Sequence, residues 1–174
     1  MKKTAITLIS TLLVSASALA ESTSRIYEVT ITNLTAGQAF TPIIATTHDS
    51  SIALFEPGQP ASDEIEMLAE GGDTMPLQDL LATAPDAVHH TVTTNGLLGP
   101  GESVTFEIYA SFRHNRLSLA AMLLPTHDTF VALNSFNLPY RRGTTTAVAY
   151  DAGTEVNDEL CVNIPGPFCG GAPY

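Results

Sequence analysis

The sequence predicts an all-β protein, an antiparallel β-sandwich with a short helical insert, and three observations support this prediction. First, the segments "IYEVTITNL" and "SVTFEIYA" alternate apolar and polar residues, as half-buried strands do. Second, several other short segments are rich in β-branched and aromatic residues and are separated by turn residues. Third, helical spacing of apolar residues is confined to one stretch near the middle of the chain. Seven or so short strands with one helical insert favour a two-layer sandwich.

In chain order, strands are predicted at 26–34, 40–47, 51–55, 103–110, 117–124, 130–133 and 144–150. The helical insert is predicted around residues 62–84. It contains "SDEIEMLAEGG", which has an acidic start and a Gly-Gly end, and "TMPLQDLLATAP", which carries leucines at helical intervals. The segment "LLGPGES" supplies a turn before strand 103–110. His89 and His90 fall between these elements and are predicted to lie in a solvated loop.

The first twenty residues have the pattern of a secretory signal peptide. Lys2 and Lys3 form a basic start, "AITLISTLLV" forms a short apolar centre, and "ALA" ending at Ala20 forms a cleavage site. We therefore expect an exported protein, in the periplasm or secreted into the medium. The apolar centre is too short to span a bilayer, and no later segment approaches that length, so no membrane span is expected.

The remaining chain divides into one domain at residues 21–160 and a tail at residues 161–174. About 154 residues are enough for one hydrophobic core. The tail is rich in Pro and Gly and holds both cysteines, Cys161 and Cys169. In an oxidising compartment such a pair is expected to form a disulfide that closes a small loop. Two cysteines without clustered histidines fall short of a zinc pattern.

The chain is strongly acidic. Its formal net charge is -11, from 7 basic and 18 acidic residues. Removing the signal peptide removes both lysines, so five arginines remain against the 18 acids and the charge becomes -13. Such a surface repels nucleic acid and anionic lipid, because phosphate binding requires cationic neutralisation. It favours metal cations, although most of these acids are expected only to keep the protein soluble.

Three carboxylates at strand ends form a candidate calcium site. Asp128 precedes the strand predicted to start near Phe130, and Asp151 and Glu155 follow the strand ending near Tyr150. Loops cluster at the two ends of a sandwich, so these residues can share one rim. Their mutual repulsion calls for a cation, and calcium prefers several oxygen ligands on irregular loops. The D-x-x-x-E spacing alone is weak support, because it occurs by chance in many acidic proteins.

Four segments together resemble a known family. They are "YEVTITNLTAGQAFTPIIATTH", "FEPGQPASDEIEMLAEGG", "PTHDTFVAL" and "YDAGTE", in this order. They look like the spondin amino-terminal domain of F-spondin, mindin and many exported bacterial proteins, over about residues 25–158. The resemblance implies a C2-like β-sandwich that binds calcium through Asp128, Asp151 and Glu155.

The chain departs from the animal members of that family at two positions. Those proteins usually have Trp after the first acid, where Thr129 stands here, and Asp where Glu155 stands. Glu155 keeps the charge on a longer side chain, so its mode of ligation stays open. The animal proteins are secreted matrix and adhesion molecules. We expect no thrombospondin-type repeat after the domain in this chain, and the partners of the animal proteins need not transfer to it.

The sequence therefore favours a secreted calcium-binding module, without enzymatic activity, that acts in binding or adhesion. Its partner is expected to be an extracellular protein or polysaccharide. One alternative is a metal-dependent hydrolase that uses His48, His127 and Asp128, although neither His lies in a catalytic motif. Another is a structural envelope protein in which calcium only adds stability. His48 is interpreted first as a hydrogen-bonded residue at a strand end.

Overall fold

The computed structural model describes residues 24–158, 160–166 and 169, which form eight strands and two helices. In chain order these are β1 (Arg25–Thr32), β2 (Ala39–Phe40), β3 (Ile44–His48), α1 (Asp63–Gly71), α2 (Met75–Ala82), β4 (Val88–Thr93), β5 (Ser103–Ala110), β6 (Arg116–Leu124), β7 (Thr129–Asn137) and β8 (Val148–Asp151). The signal peptide predicted at residues 1–20 lies outside the described residues and stays a prediction.

The strands form two antiparallel sheets. Five strands of the larger sheet follow the order β4-β3-β6-β7-β8, and β2 pairs with the end of β6 as its sixth strand. The smaller sheet consists of β1 and β5, which pair without interruption from Arg25 opposite Ala110 to Thr32 opposite Ser103. The predicted all-β antiparallel sandwich is confirmed, and the two helices fall within the predicted insert at residues 62–84.

Strand β6 lies at the centre of the molecule and is buried on both faces. On one face Leu117, Leu119 and Leu123 join the apolar core under the two-stranded sheet. On the other face Ala120 joins a second core, which the helices cover. Covering both faces explains why this strand reads as the continuous apolar run "LSLAAMLL" instead of an alternating one. The fold is therefore a sandwich with a third, helical layer.

The two helices cover the outer face of the larger sheet with their leucine and isoleucine side chains. The buried residues that pack there are Ile65, Leu68, Ala69, Leu77 and Leu81. Ser62 caps the start of helix α1, and its hydroxyl oxygen accepts from the Ile65 N–H at 3.4 Å. Acids occupy the first turn of the helix, where they meet the positive end of the helix dipole. Gly72 caps the end of the helix and has a φ of 68°.

We expect Gly72→Ala to destabilise the protein more than Gly96→Ala. Both glycines have positive φ, so either alanine would pay the left-handed penalty of roughly 1–2 kcal/mol. A Cβ at position 72 would also lie 2.7 Å from Thr41 Cγ2, whereas one at position 96 meets nothing within 4 Å. Thermal melting of both variants checks this, and equal losses would contradict the steric argument.

Two parts of the strand prediction were wrong. Residues 51–55 form no strand, because Ser51 N–H donates to the Asp49 side chain at 2.8 Å and Asn134 Oδ1 accepts from Leu54 N–H at 3.1 Å. These side-chain bonds replace the ladder bonds that a strand would need. Strand β4 was missed, and His89 and His90 lie in it instead of in a solvated loop.

Both histidines contribute contacts to the sheet. His89 stacks on His114 with 5.4 Å between the ring centroids, and His90 packs edge-on against Tyr109. The strand is half-buried throughout and pairs with β3. Its sequence "VHHTVT" shows no clear alternation, because imidazole rings supply both the apolar and the polar surface.

Candidate metal-binding site

The pairing of β7 with β8 brings the two predicted loops together. Thr129 lies opposite Asp151 in the ladder, so Asp128, just before β7, and Asp151, at the end of β8, lie at the same edge of the sheet. The backbone carbonyl of Asp128 accepts from the Ala152 N–H at 3.1 Å. The predicted convergence of these loops on one rim is therefore observed.

Asp128 is fully buried and holds the loop that follows β8. Its Oδ2 atom accepts from the backbone N–H groups of Thr154 at 2.8 Å and Glu155 at 3.0 Å, and from the Thr154 hydroxyl at 3.3 Å. Its Oδ1 atom is buried and has no hydrogen-bond partner among the described residues. A buried carboxylate oxygen without a donor is costly, and a cation is one way to satisfy it.

Asp151 and Glu155 differ in exposure. Asp151 is exposed, and its carboxylate accepts from the Gly153 N–H at 2.8 Å and from the Asn157 amide at 2.9 Å. Gly153 has a φ of 71°, a left-handed conformation that glycine adopts without strain and that turns the chain between the two acids. Glu155 is half-buried, and its Oε2 atom is shielded from solvent.

Glu70 is a further carboxylate at this site, and the sequence prediction missed it. It lies in the last turn of α1, is buried, and comes within hydrogen-bonding reach of the Thr154 side chain. Burial raises the pKa of Glu70 above its ordinary value, and the charges of the nearby acids raise it further; those acids are Glu155, Glu66 and Asp128. One feature of the sequence could have pointed to Glu70: it is an acid just before the Gly-Gly end of the helix, and it therefore lies at the negative end of the helix dipole.

Within the described part of the chain, no Arg side chain forms a salt bridge with Asp128, Asp151 or Glu70, and the one His–carboxylate contact joins His127 to Asp158. Arg116 begins β6, at the far end of that strand from Asp128. The same residues contain no group of three or more His, Cys, Asp or Glu side chains arranged closely enough to hold a metal. The structure thus brings the loops and their negative charge together without gathering all three predicted side chains around one point.

His127 is buried and binds a carboxylate. Its Nε2 lies 2.9 Å from Asp158 Oδ1, which also accepts from the Leu160 N–H at 2.8 Å. That backbone N–H is the main cause of a lowered pKa at Asp158; the Asn163 amide and His127 lower it further. His127 therefore fastens the loop before β7 to the turn that leads into the tail. In that tail Cys161 and Cys169 form the predicted disulfide.

His48 lies far from the other members of the suggested hydrolase group. It pairs with Arg116 at the start of β6, whereas Asp128 follows the end of β6. Nine residues of strand span about 26 Å at ~3.3 Å per residue. The grouping of His48 with His127 and Asp128 was therefore wrong.

His48 instead belongs to a buried hydrogen-bond network, as the strand-end interpretation predicted. Its Nδ1 donates to the Asp49 carbonyl at 2.7 Å, and its Nε2 accepts from the Ser118 hydroxyl at 2.7 Å. Ser118 Oγ accepts in turn from the Ser135 N–H at 2.7 Å. Ser135 has a φ of 61°, so the network also holds a strained backbone. Every member is satisfied with a neutral imidazole.

We expect this network to make stability fall at acid pH. Burial lowers the pKa of His48, so the neutral form is favoured in the folded state. The stability that neutral His48 contributes to the folded protein is fully present above the pKa of a histidine in the unfolded chain, about 6.5. This stability is lost as the pH falls through the pKa of His48 in the folded protein. Melting of the wild type and of His48→Gln between pH 8 and pH 5 checks this. The variant should melt lower at pH 8 and lose less on acidification, whereas parallel profiles would contradict the assignment.

Comparison with known proteins adds one finding. The family model for the spondin N-terminal domain, Spondin_N, matches residues 30–158. A search of curated proteins finds no match. Among the described residues, no helix is long and apolar enough to cross a membrane. The matched stretch includes both loops of the candidate site and Glu70.

Proposed function

Since this chain belongs to the spondin N-terminal domain family, we propose that it is an exported calcium-binding module that acts in binding or adhesion to an extracellular protein or polysaccharide. Family membership and the disulfide between Cys161 and Cys169 support an extracellular protein, and the proposal adds that it is a module without enzymatic activity. Calcium, the signal peptide at residues 1–20 and the adhesive role are the steps that the proposal adds.

The observation that carries the calcium proposal is the buried Oδ1 atom of Asp128. This atom has no donor among the described residues and lies in a region that Glu70 and Glu155 also make negative. Calcium is a hard cation that binds carboxylate oxygens, and it would supply the missing positive partner. The donor set fits calcium better than zinc or iron, because it offers oxygens and because His127 is engaged by Asp158.

We assign Asp128, Asp151 and Glu155 as the residues that would hold the ion. Asp128 is already fixed by the backbone of Thr154 and Glu155, so its position is organised before the ion arrives. The hydrogen bonds from Gly153 and Asn157 compete with the ion for Asp151. A bound ion would tie the loop after β8 to the loop before β7, which would make calcium a stabiliser of this rim.

Direct binding tests the proposal. Chelator-treated mature protein, from residue 21 onward, is titrated with calcium chloride and, in parallel, with magnesium chloride in a calorimeter. We expect one calcium site with a dissociation constant of roughly 0.1–1 mM, as in other extracellular calcium modules, and weaker binding of magnesium. Equal binding of the two ions would count against the site. So would stoichiometric zinc or iron in protein purified without chelators.

Adhesion is tested separately from calcium binding. Surface polymers and proteins are captured on the immobilised mature protein with calcium and with chelator. A captured component that binds purified protein in both a direct and a competition format supports a binding module. If calcium binds and no component is captured under either condition, the structural envelope role is favoured.

A further inference from the structure

The sandwich is open along one flank. On its other flank β5 lies against β3, where the Thr47 hydroxyl donates to the Tyr109 carbonyl at 2.5 Å. On the open flank a groove of about 1490 Å³ runs beside β1. The residues that line the groove include all eight residues of β1 and residues 138–147. Leu119 and Leu133, which belong to or pack against the apolar core, also line it. The groove therefore follows the whole length of one strand.

The outer edge of β1 is unpaired. Its ladder is made with β5 alone, and within the described residues no other backbone group bonds to the backbone of Arg25–Thr32. The Tyr27 hydroxyl donates to the Pro139 carbonyl at 3.3 Å, and both residues line the groove. The strand contains no Pro or bulge, and the only charged residues within it are Arg25 at its start and Glu28. Its inward residues Tyr27, Val29 and Ile31 are only half-buried. A long regular edge with half-buried apolar residues is a template for a further strand.

One end of the groove is basic in an otherwise acidic protein. Arg25, Arg141 and Arg142 all line it. The Arg25 guanidinium lies 4.1 Å from the centroid of the Tyr140 ring, which holds this cation at the groove by a cation–π contact. None of the three arginines forms an ion pair with another described residue. Five arginines remain after removal of the signal peptide, so three of them converge on this groove.

We propose that the groove binds an extended acidic peptide segment of a partner protein, which adds to β1 as a strand. Its apolar side chains at alternate positions would fill the groove, and a carboxylate would meet Arg25, Arg141 and Arg142. An antiparallel strand would place its carboxyl end beside Arg25. This inference rests on the proposed function, because it names the class of partner that the binding module would take. It does not require that the protein bind calcium.

The backbone of β1 favours a peptide over an acyl chain. A fatty acid would satisfy the arginines and the apolar floor, yet it would leave the N–H and C=O groups of the β1 edge without partners. A peptide strand pairs those groups and gains affinity from main-chain hydrogen bonds.

Selection from a display library tests this without knowledge of the partner. Random ten-residue peptides with free carboxyl ends are selected on the mature protein in calcium and, separately, in chelator. We expect enrichment of peptides with β-branched residues at alternate positions and acids toward the carboxyl end, under both conditions. Methylation of alternate peptide nitrogens should abolish binding of the best peptide, because it removes the ladder donors. No enrichment, or binding that survives both methylation patterns, would overturn the proposal.

Protein variants locate the binding. Arg142→Glu should weaken the selected peptide by about tenfold or more, since charge reversal at an electrostatic contact is unfavourable in any register. Arg113→Glu is the matched control, because Arg113 is exposed and does not line the groove. Ala147→Trp should block binding by filling the groove.

Displacement of the peptide by palmitate, with tighter binding of palmitate alone, would assign the groove to an amphiphile instead. Sedimentation of the free protein as a dimer that Ala147→Trp dissociates would assign it to a second copy. Loss of peptide selection with retained calcium binding would sink this inference alone.

Discussion

Calcium at 10 mM is expected to raise the melting temperature of the mature protein by about 3–10 °C, and Asp151→Asn is expected to remove most of that rise. For a dissociation constant of roughly 0.1–1 mM, linkage gives about 1.4–2.7 kcal/mol of stabilisation at this concentration. A domain of about 150 residues converts each kcal/mol into about 2–4 °C. Three carboxylates carry three negative charges, and calcium leaves one of them uncompensated.

Asp151 is the best position for this test because it is exposed. Asn at this position removes a ligand charge and keeps an oxygen that can accept from the Gly153 N–H, so the calcium-free variant should stay folded. Asp86→Asn is the matched control, since Asp86 is an exposed acid outside the site, and it should preserve the shift. Scanning calorimetry with calcium, magnesium and chelator makes the comparison. The site would be rejected if calcium moved wild type and Asp151→Asn equally.

The part of the fold that the sequence predicted is the part whose pattern is local. β1 and β5 alternate because each has one face on the core and one in water, and this alternation is visible in eight residues. β6 is recognisable because both of its faces are covered. Strand β4 lacks such a pattern, since its residues are all half-buried and two of them are histidines. Its position depends on pairing with β3, which no local signal encodes.

The candidate site likewise contains residues that the sequence could place and others that it could not. Asp128 and Asp151 could be placed together because they end neighbouring strands, and strand ends that pair must share an edge. Glu70 is separated from them by more than fifty residues of chain, and it reaches the site only because α1 packs on the larger sheet. The exposure of Asp151 was equally hidden, because it depends on how the loop around Gly153 turns.

Asp128→Ala is expected to destabilise the calcium-free protein by about 3 kcal/mol, which corresponds to roughly 6–12 °C in melting temperature. The Asp128 carboxylate accepts from the N–H groups of Thr154 and Glu155. Removing it leaves both N–H groups without an acceptor, at a place to which solvent has little access. Relief of a buried charge offsets part of this loss, which is why the estimate stays below the sum of the separate hydrogen bonds. Asp128→Asn keeps one accepting oxygen and should lose less stability.

The Asp128 variants separate two roles of this residue, which are to hold the loop after β8 and to bind calcium. Asp49→Ala is the control, because Asp49 also accepts from a backbone N–H in a loop, at 2.8 Å from Ser51, yet lies far from the acidic rim. It should lose much less stability than Asp128→Ala and keep the calcium shift. Asp128→Asn should keep most of its stability in chelator and lose the calcium shift, because it retains the loop contact and removes the charge. If Asp128→Ala melted within about 1 °C of wild type in chelator, the loop would not depend on Asp128. Its buried Oδ1 would then lose its value as support for a preorganised calcium ligand.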